Sequence, residues 1–185
     1  MESFALNTEA YYLERYGVWR AKTGEAEKSI EILQQHMPLL YQKLFRERQQ
    51  LNILSVGSAE GEKDMMFLKI IKEELQTNDH GRYMKIFNRA IEPNKYSCGV
   101  YKAAIENLPS PLDDQQIAFE IREQTFEEYQ ESHKEPVKFD IVHFIHSIYY
   151  VDIKQALLYC FEKELNDEGH FVCISGIDGI VHPST

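Results

Sequence analysis

The chain has 185 residues, 43% of them hydrophobic, which is enough for one well-filled core, and its 20 Lys and Arg against 30 Asp and Glu leave a formal charge of −10. With no segregated basic run, that charge repels a phosphate backbone and excludes nucleic acid as a natural partner. No apolar stretch is long enough to span a bilayer, the start from Met1 to Asn7 lacks a signal peptide's basic and apolar regions, and Cys98, Cys160 and Cys173 have no metal-type spacing; together these features predict a soluble cytoplasmic protein with reduced thiols.

In chain order, apolar residues at helical spacing (Ile30, Leu33, Met37, Leu40 and Leu44) predict a helix from Thr8 to Phe45. From Leu51 the pattern changes to short apolar runs alternating with amphipathic ones. Strands are predicted at Leu51 to Val56, Met84 to Ile91, Ile117 to Ile121, Phe139 to Phe144 and His170 to Ser175. Helices are predicted between them at Glu62 to Glu74, Lys95 to Glu106, Phe126 to Gln130 and Ile153 to Leu165. Alternation of this kind implies a Rossmann-like α/β fold, a mainly parallel, doubly wound sheet of five strands with helices on both faces. The expected division is a helical N-terminal segment, 1–48, followed by the sheet-forming part, 49–185.

Chemistry is suggested first where the leading strand runs into Gly57-Ser58-Ala59-Glu60-Gly61-Glu62, a small-residue turn that lets a ligand approach the backbone at the carboxyl edge of the sheet. By itself the spacing of Gly57 and Gly61 fits a plain turn equally well. The next strand ends in Ile91-Glu92-Pro93, which places a carboxylate at the neighbouring strand tip, where it can accept hydrogen bonds from both hydroxyls of a ribose. The two features together point to a nucleoside-type cofactor. A third run, Phe139-Asp140-Ile141-Val142-His143-Phe144-Ile145-His146-Ser147-Ile148-Tyr149-Tyr150-Val151, passes from buried strand to polar and aromatic groups at the sheet's carboxyl edge. Tyr149 and Tyr150 there read either as packing residues or as walls for a flat or cationic ligand. His143 and His146, three apart on an extended strand, point to opposite faces, so no metal site is expected.

These three segments resemble the histamine N-methyltransferase family, class I S-adenosylmethionine-dependent methyltransferases, over about Tyr12 to Ser175. The family's I-L-S-I-G and G-E-x-D are matched by Ile53-Leu54-Ser55-Val56-Gly57 and Gly61-Glu62-Lys63-Asp64, its V-E-P by Ile91-Glu92-Pro93, and its W-D-F-I-H-M-I-Q-M-L-Y-Y-V by the Phe139 to Val151 run. The resemblance implies S-adenosylmethionine as cofactor, with Gly57, Ser58 and Gly61 facing its methionine part. It further implies Glu92 at the ribose, Thr125 and Phe126 in the adenine region and Ile145 on the inner side, with Ser97 where the family has a cofactor-contacting glutamine. It also implies an amine pocket in which Glu25 binds the substrate amine among Tyr12, Tyr16 and Trp19, while His146, Tyr149 and Tyr150 meet the imidazole. Ala59 and Glu60 depart from the family's glycine-rich turn, Phe126 replaces a serine and His146 a glutamine. Family members continue for roughly a hundred residues past the last predicted strand, completing the sheet; self-association is expected where that edge stays open, and a monomer where it is completed.

The implied activity is transfer of a methyl group to a ring nitrogen of histamine or a related small amine, with no metal and no covalent enzyme intermediate. The alternatives are a different amine acceptor or a non-catalytic, truncated isoform that acts as an interaction protein. A nucleotide-dependent dehydrogenase is disfavoured because positions 57, 59 and 62 read Gly, Ala and Glu instead of G-x-G-x-x-G.

Overall fold

The computed structural model of the protein describes residues 24–44, 49–77, 83–132 and 137–175. Its elements are α1 (Glu25–Leu44), β1 (Gln50–Val56), α2 (Glu62–Gln76), β2 (Lys85–Ile91), α3 (Lys95–Ile105), β3 (Ile117–Arg122), α4 (Phe126–Ser132), β4 (Phe139–Ile145), a 3-10 turn (Ile148–Tyr150), α5 (Ile153–Tyr159) running into a π turn (Cys160–Glu164), and β5 (Leu165–Ile174). The strands form one parallel sheet in the order β3-β2-β1-β4-β5. The order reverses between β1 and β4, and α/β proteins open a ligand crevice at such a switch point, outside the strands' carboxyl ends.

Helices cover both faces, so the central strands are buried on both sides, polar positions such as Ser55, Asn88 and Asp140 included. All seven residues of β4 are buried. On one face Ile53 of β1 meets Phe67, Leu68, Ile71 and Leu75 of α2 together with Leu33 and Met37 of α1. On the other, Leu54, Val56, Val142 and Phe144 cluster with Phe126 and Tyr129 of α4, Ala156 of α5 and Cys160 of the π turn. Each large side chain sealed in this way contributes about 2 kcal/mol of burial free energy, and their sum is what holds the carboxyl edge of the sheet in a fixed geometry.

Two elements differ from the sequence expectation. The helix predicted from Thr8 to Phe45 does not run unbroken: Gly24 has φ +61° and sits outside the helix, and its carbonyl accepts the first helical hydrogen bond, from Lys28 N at 3.0 Å. Residues before it lie outside the described residues. Strand β5 starts five residues before the predicted His170, pairing Leu165 with Phe139; an irregularity follows before His170 pairs with Ile141. The polar run Asn166-Asp167-Glu168-Gly169 hides this early pairing in the sequence.

Helix α1 is amphipathic, and its buried stripe is Ser29, Leu33 and Met37, one turn apart in each case. Pro38 falls on an exposed position of the helix, where its missing N–H leaves one carbonyl to water.

Candidate functional site

A cleft of about 640 Å³ opens at the switch point, lined by the β1–α2 turn, the tip of β2 and the run from Ile145 to Val151. That volume suits a drug-sized or nucleoside-sized ligand.

The turn after β1 is wound by three left-handed residues, Gly57 at φ +72°, Ala59 at +48° and Gly61 at +82°. Gly57 is required on two counts, because a Cβ there would lie 2.4 Å from Ser147 Cβ. Gly57 N and Ser58 N both donate to Ile91 O, at 2.9 and 3.3 Å, which ties the turn to the tip of β2. Ala59 holds a glycine-type conformation at a cost of about 1 kcal/mol, and its N–H donates to Glu92 Oε2 at 2.8 Å.

Glu92 is 8% exposed and faces the cleft. Its second oxygen, Oε1, accepts from Asn94 N at 2.8 Å. Each carboxylate oxygen thus holds one backbone amide and keeps a second lone pair, so the group braces the turn and can still accept two hydroxyls. Asn94 in turn caps α3 by accepting from Ser97 N at 3.0 Å. Thr125 and Glu128 form a reciprocal capping box at the start of α4, Thr125 N donating to Glu128 Oε2 at 2.8 Å and Glu128 N to Thr125 Oγ1 at 3.1 Å. The Thr125 hydroxyl is therefore engaged in the cap.

The structure gathers Gly57, Ser58, Glu92, Ser97, Thr125, Phe126 and Ile145, along with His146, Tyr149 and Tyr150, around this one cleft. Phe126 presents an aromatic wall, stacked on Tyr129 and edge-on to Phe144 and Tyr159. Tyr149 and Tyr150 stand at the rim, 52% and 71% exposed, their rings 4.6 Å apart. Gly61 does not line the cleft; it backs onto the ring of Tyr101, where a Cβ would lie 2.2 Å from Cδ2. Tyr12, Tyr16 and Trp19 lie outside the described residues, as does the side chain of Glu25, whose backbone opens α1.

Some residues of the arrangement were not singled out in the sequence. The Ser147 hydroxyl donates to Val56 O, and its Cβ sets the close approach at Gly57. Ser29 Oγ and His146 Nε2 form a buried hydrogen bond of 3.0 Å, joining α1 to the tip of β4 across 117 residues. His146 itself sits at φ +56° and donates its N–H to Ile174 O at 2.7 Å. The only advance signal for Ser29 is its position one helical turn after Glu25.

Beneath the turn lies a polar cluster sealed from water. Asp64, on α2, accepts from Ser55 Oγ at 2.6 Å, from Tyr101 OH at 2.9 Å and from Asn88 Nδ2 at 3.4 Å. Burial outweighs these hydrogen bonds, and the nearby Glu92 charge adds to it, so the Asp64 carboxyl is pushed up to about 6. Burial alone lowers His143 to about 3, and neither of its ring nitrogens has a hydrogen-bond partner. The 3.9 Å approach of His143 Nε2 to Asp64 Oδ1 is thus a contact with a neutral ring at pH 7, and no ion pair forms. Among the described residues no three His, Cys, Asp or Glu side chains gather as metal ligands, and no helix is long and apolar enough to cross a membrane.

A five-stranded parallel sheet in this order, with helices on both faces, is a Rossmann-like fold. The plantazolicin methyltransferase BpumL, solved in complex with SAH, shares it at a TM-score of 0.52 and 10% identity, over 85% of this chain and 50% of that one. More particularly, the chain is similar to carnosine N-methyltransferase 2 of Gallus gallus, 29% identical over 170 residues, and to histamine N-methyltransferase of Cavia porcellus, 26% identical over 173. These alignments take in 90% and 91% of this chain but 50% and 56% of the relatives, so the chain spans about half the length of the curated relatives it matches. No family model matches it.

Proposed function

We propose that the cleft binds S-adenosylmethionine and that the chain is the cofactor-binding part of an N-methyltransferase acting on a small imidazole-bearing amine. The observation that carries this reading is the pairing of the Gly57–Gly61 turn with Glu92, whose carboxylate already holds the turn's Ala59 amide and keeps a lone pair on each oxygen for a ribose diol. Ile91, Phe126 and Ile145 supply the apolar walls that a flat base needs. The names of the relatives support an acceptor of this class, since histamine and carnosine both carry an imidazole ring and an amine.

When bound, S-adenosylmethionine would supply an electrophilic methyl group to the lone pair of a neutral ring nitrogen, with S-adenosylhomocysteine as the leaving group and the other ring nitrogen's proton released to water. The chain's own contribution is orientation and exclusion of water, which can supply several kcal/mol of barrier lowering. His146, held by Ser29, orients the ring, and Tyr149 and Tyr150 flank it at the rim. Glu25, one turn before Ser29 on α1, anchors the amine together with Tyr12, Tyr16 and Trp19. In this reading segment 1–48 is the substrate side and 49–185 the cofactor side. The three unpaired cysteines suit a reducing cytoplasm.

Initial-rate assays with histamine and carnosine test the acceptor class. Glu25→Ala is expected to raise KM for the preferred amine about tenfold or more, because a charge-assisted contact is worth about 1.5 to 3 kcal/mol. Turnover of neither amine by a chain that binds the cofactor would overturn the acceptor assignment.

A further inference from the structure

We propose that Tyr101 is a positioning residue for the cofactor turn, anchored by Asp64; this rests on the reading of the cleft given above. Three observations lead to it. The Tyr101 ring fills the space behind Gly61 so closely that no Cβ fits between them, although Tyr101 is on α3 and Gly61 at the start of α2. The phenol is fully buried, and its hydroxyl donates to Asp64 Oδ2 at 2.9 Å while accepting from Asn88 Nδ2 at 3.2 Å. Asp64 is itself tied to β1 through Ser55, two residues before Gly57. Both ends of the turn are therefore referenced to one buried carboxylate, the first through Ser55 and the last through the Tyr101 ring.

Helix α2, whose N-cap is Gly61, has no side-chain cap of its own. A capping side chain would normally fix such an entry angle; here a ring pressed on the Gly61 backbone does so from behind. This cluster is placed to control the width of the cleft without touching a ligand in it, since neither Tyr101 nor Asp64 lines the cleft.

The substitution Tyr101→Phe keeps the ring and removes only its anchor. It is expected to weaken S-adenosylmethionine binding about fivefold, the fold-change that loss of one ordinary hydrogen bond's contribution gives, and to leave the amine KM unchanged. Asp64→Asn, which keeps an acceptor for the phenol, is expected to retain most of the affinity. Amide hydrogen exchange in the ligand-free chain reads the same brace independently: Tyr101→Phe should speed exchange at 58–62 and leave the rest of the sheet protected. Unchanged exchange there, or unchanged affinity of Tyr101→Phe where the wild-type chain binds, would overturn the proposal. A wild-type chain that fails to bind would overturn the cofactor reading, and the exchange result would then decide the brace on its own.

Discussion

Gly57→Ala is expected to destabilise the protein by about 3 kcal/mol and to abolish cofactor binding. The left-handed φ of +72° costs an L residue about 1 to 2 kcal/mol. The new methyl would also sit 2.4 Å from Ser147 Cβ, at the start of the segment behind β4, and forcing a shift there costs about 1 to 3 kcal/mol. For a chain of this size the melting temperature should fall by roughly 10 °C. The displaced turn would lose its tie to Ile91 O and with it the geometry facing Glu92. Gly99→Ala is the internal control. It lies in α3 with nothing within 4 Å of a built Cβ, so the same substitution there should raise the melting temperature slightly. Thermal melts of the two variants decide the point, and equal behaviour would remove the structural argument for the turn.

The second large effect is in the acid pH dependence of stability. Asp64 has a folded value of about 6 against 3.8 unfolded, so the folded chain holds that proton more tightly. Its contribution is therefore fullest below 3.8 and is lost as pH rises through 6. His143, at about 3 against 6.5, works in the opposite sense: the unfolded chain takes up its proton first, and stability falls as pH drops below 6.5. Between pH 4 and 6 the two slopes oppose each other, each about 1 kcal/mol per pH unit, and largely cancel. Removing either residue should expose the other. Relative to wild type, the melting temperature of Asp64→Asn should drop on acidification from pH 6 to 4 by roughly 6 °C, and that of His143→Gln should drop over the same interval as pH rises. Parallel pH profiles for all three proteins would show that the cluster does not titrate as its burial requires.

The fold was largely legible because its signals are local. Apolar residues predominate in the central parallel strands, and the intervening helices carry a single buried stripe, so β1 to β4 and α2 to α5 could be placed within a few residues. The start of β5 could not, since Asn166 to Gly169 read as loop and only the pairing of Leu165 with Phe139 shows otherwise. The buried charges were equally hidden. Lys72 is 2% exposed beside Asp114 and Gln116, and Glu164 is sealed while accepting from Tyr129 OH at 2.9 Å. A residue string carries no mark of a partner dozens of positions away. The same limit explains the site. Gly57 and Glu92 were legible because strand tips beside one another at a switch point share a crevice by topology alone. Ser29, Asp64 and Tyr101 matter through contacts across 117 and 37 residues, which no spacing rule reaches. The resemblance places Gly61 at the cofactor; among the described residues it lies behind the cleft lining, where its missing Cβ leaves room for the ring of Tyr101, a contact the sequence does not show.

The central claim is that this cleft holds S-adenosylmethionine through the Gly57–Gly61 turn and Glu92. Calorimetric titration of the cofactor into the 185-residue chain, with Glu92→Ala as the paired variant and circular dichroism to show that both are folded, tests it most directly. The account predicts saturable binding in the micromolar range that the variant loses. No heat of binding from a folded wild-type chain, or equal binding by Glu92→Ala, would contradict it.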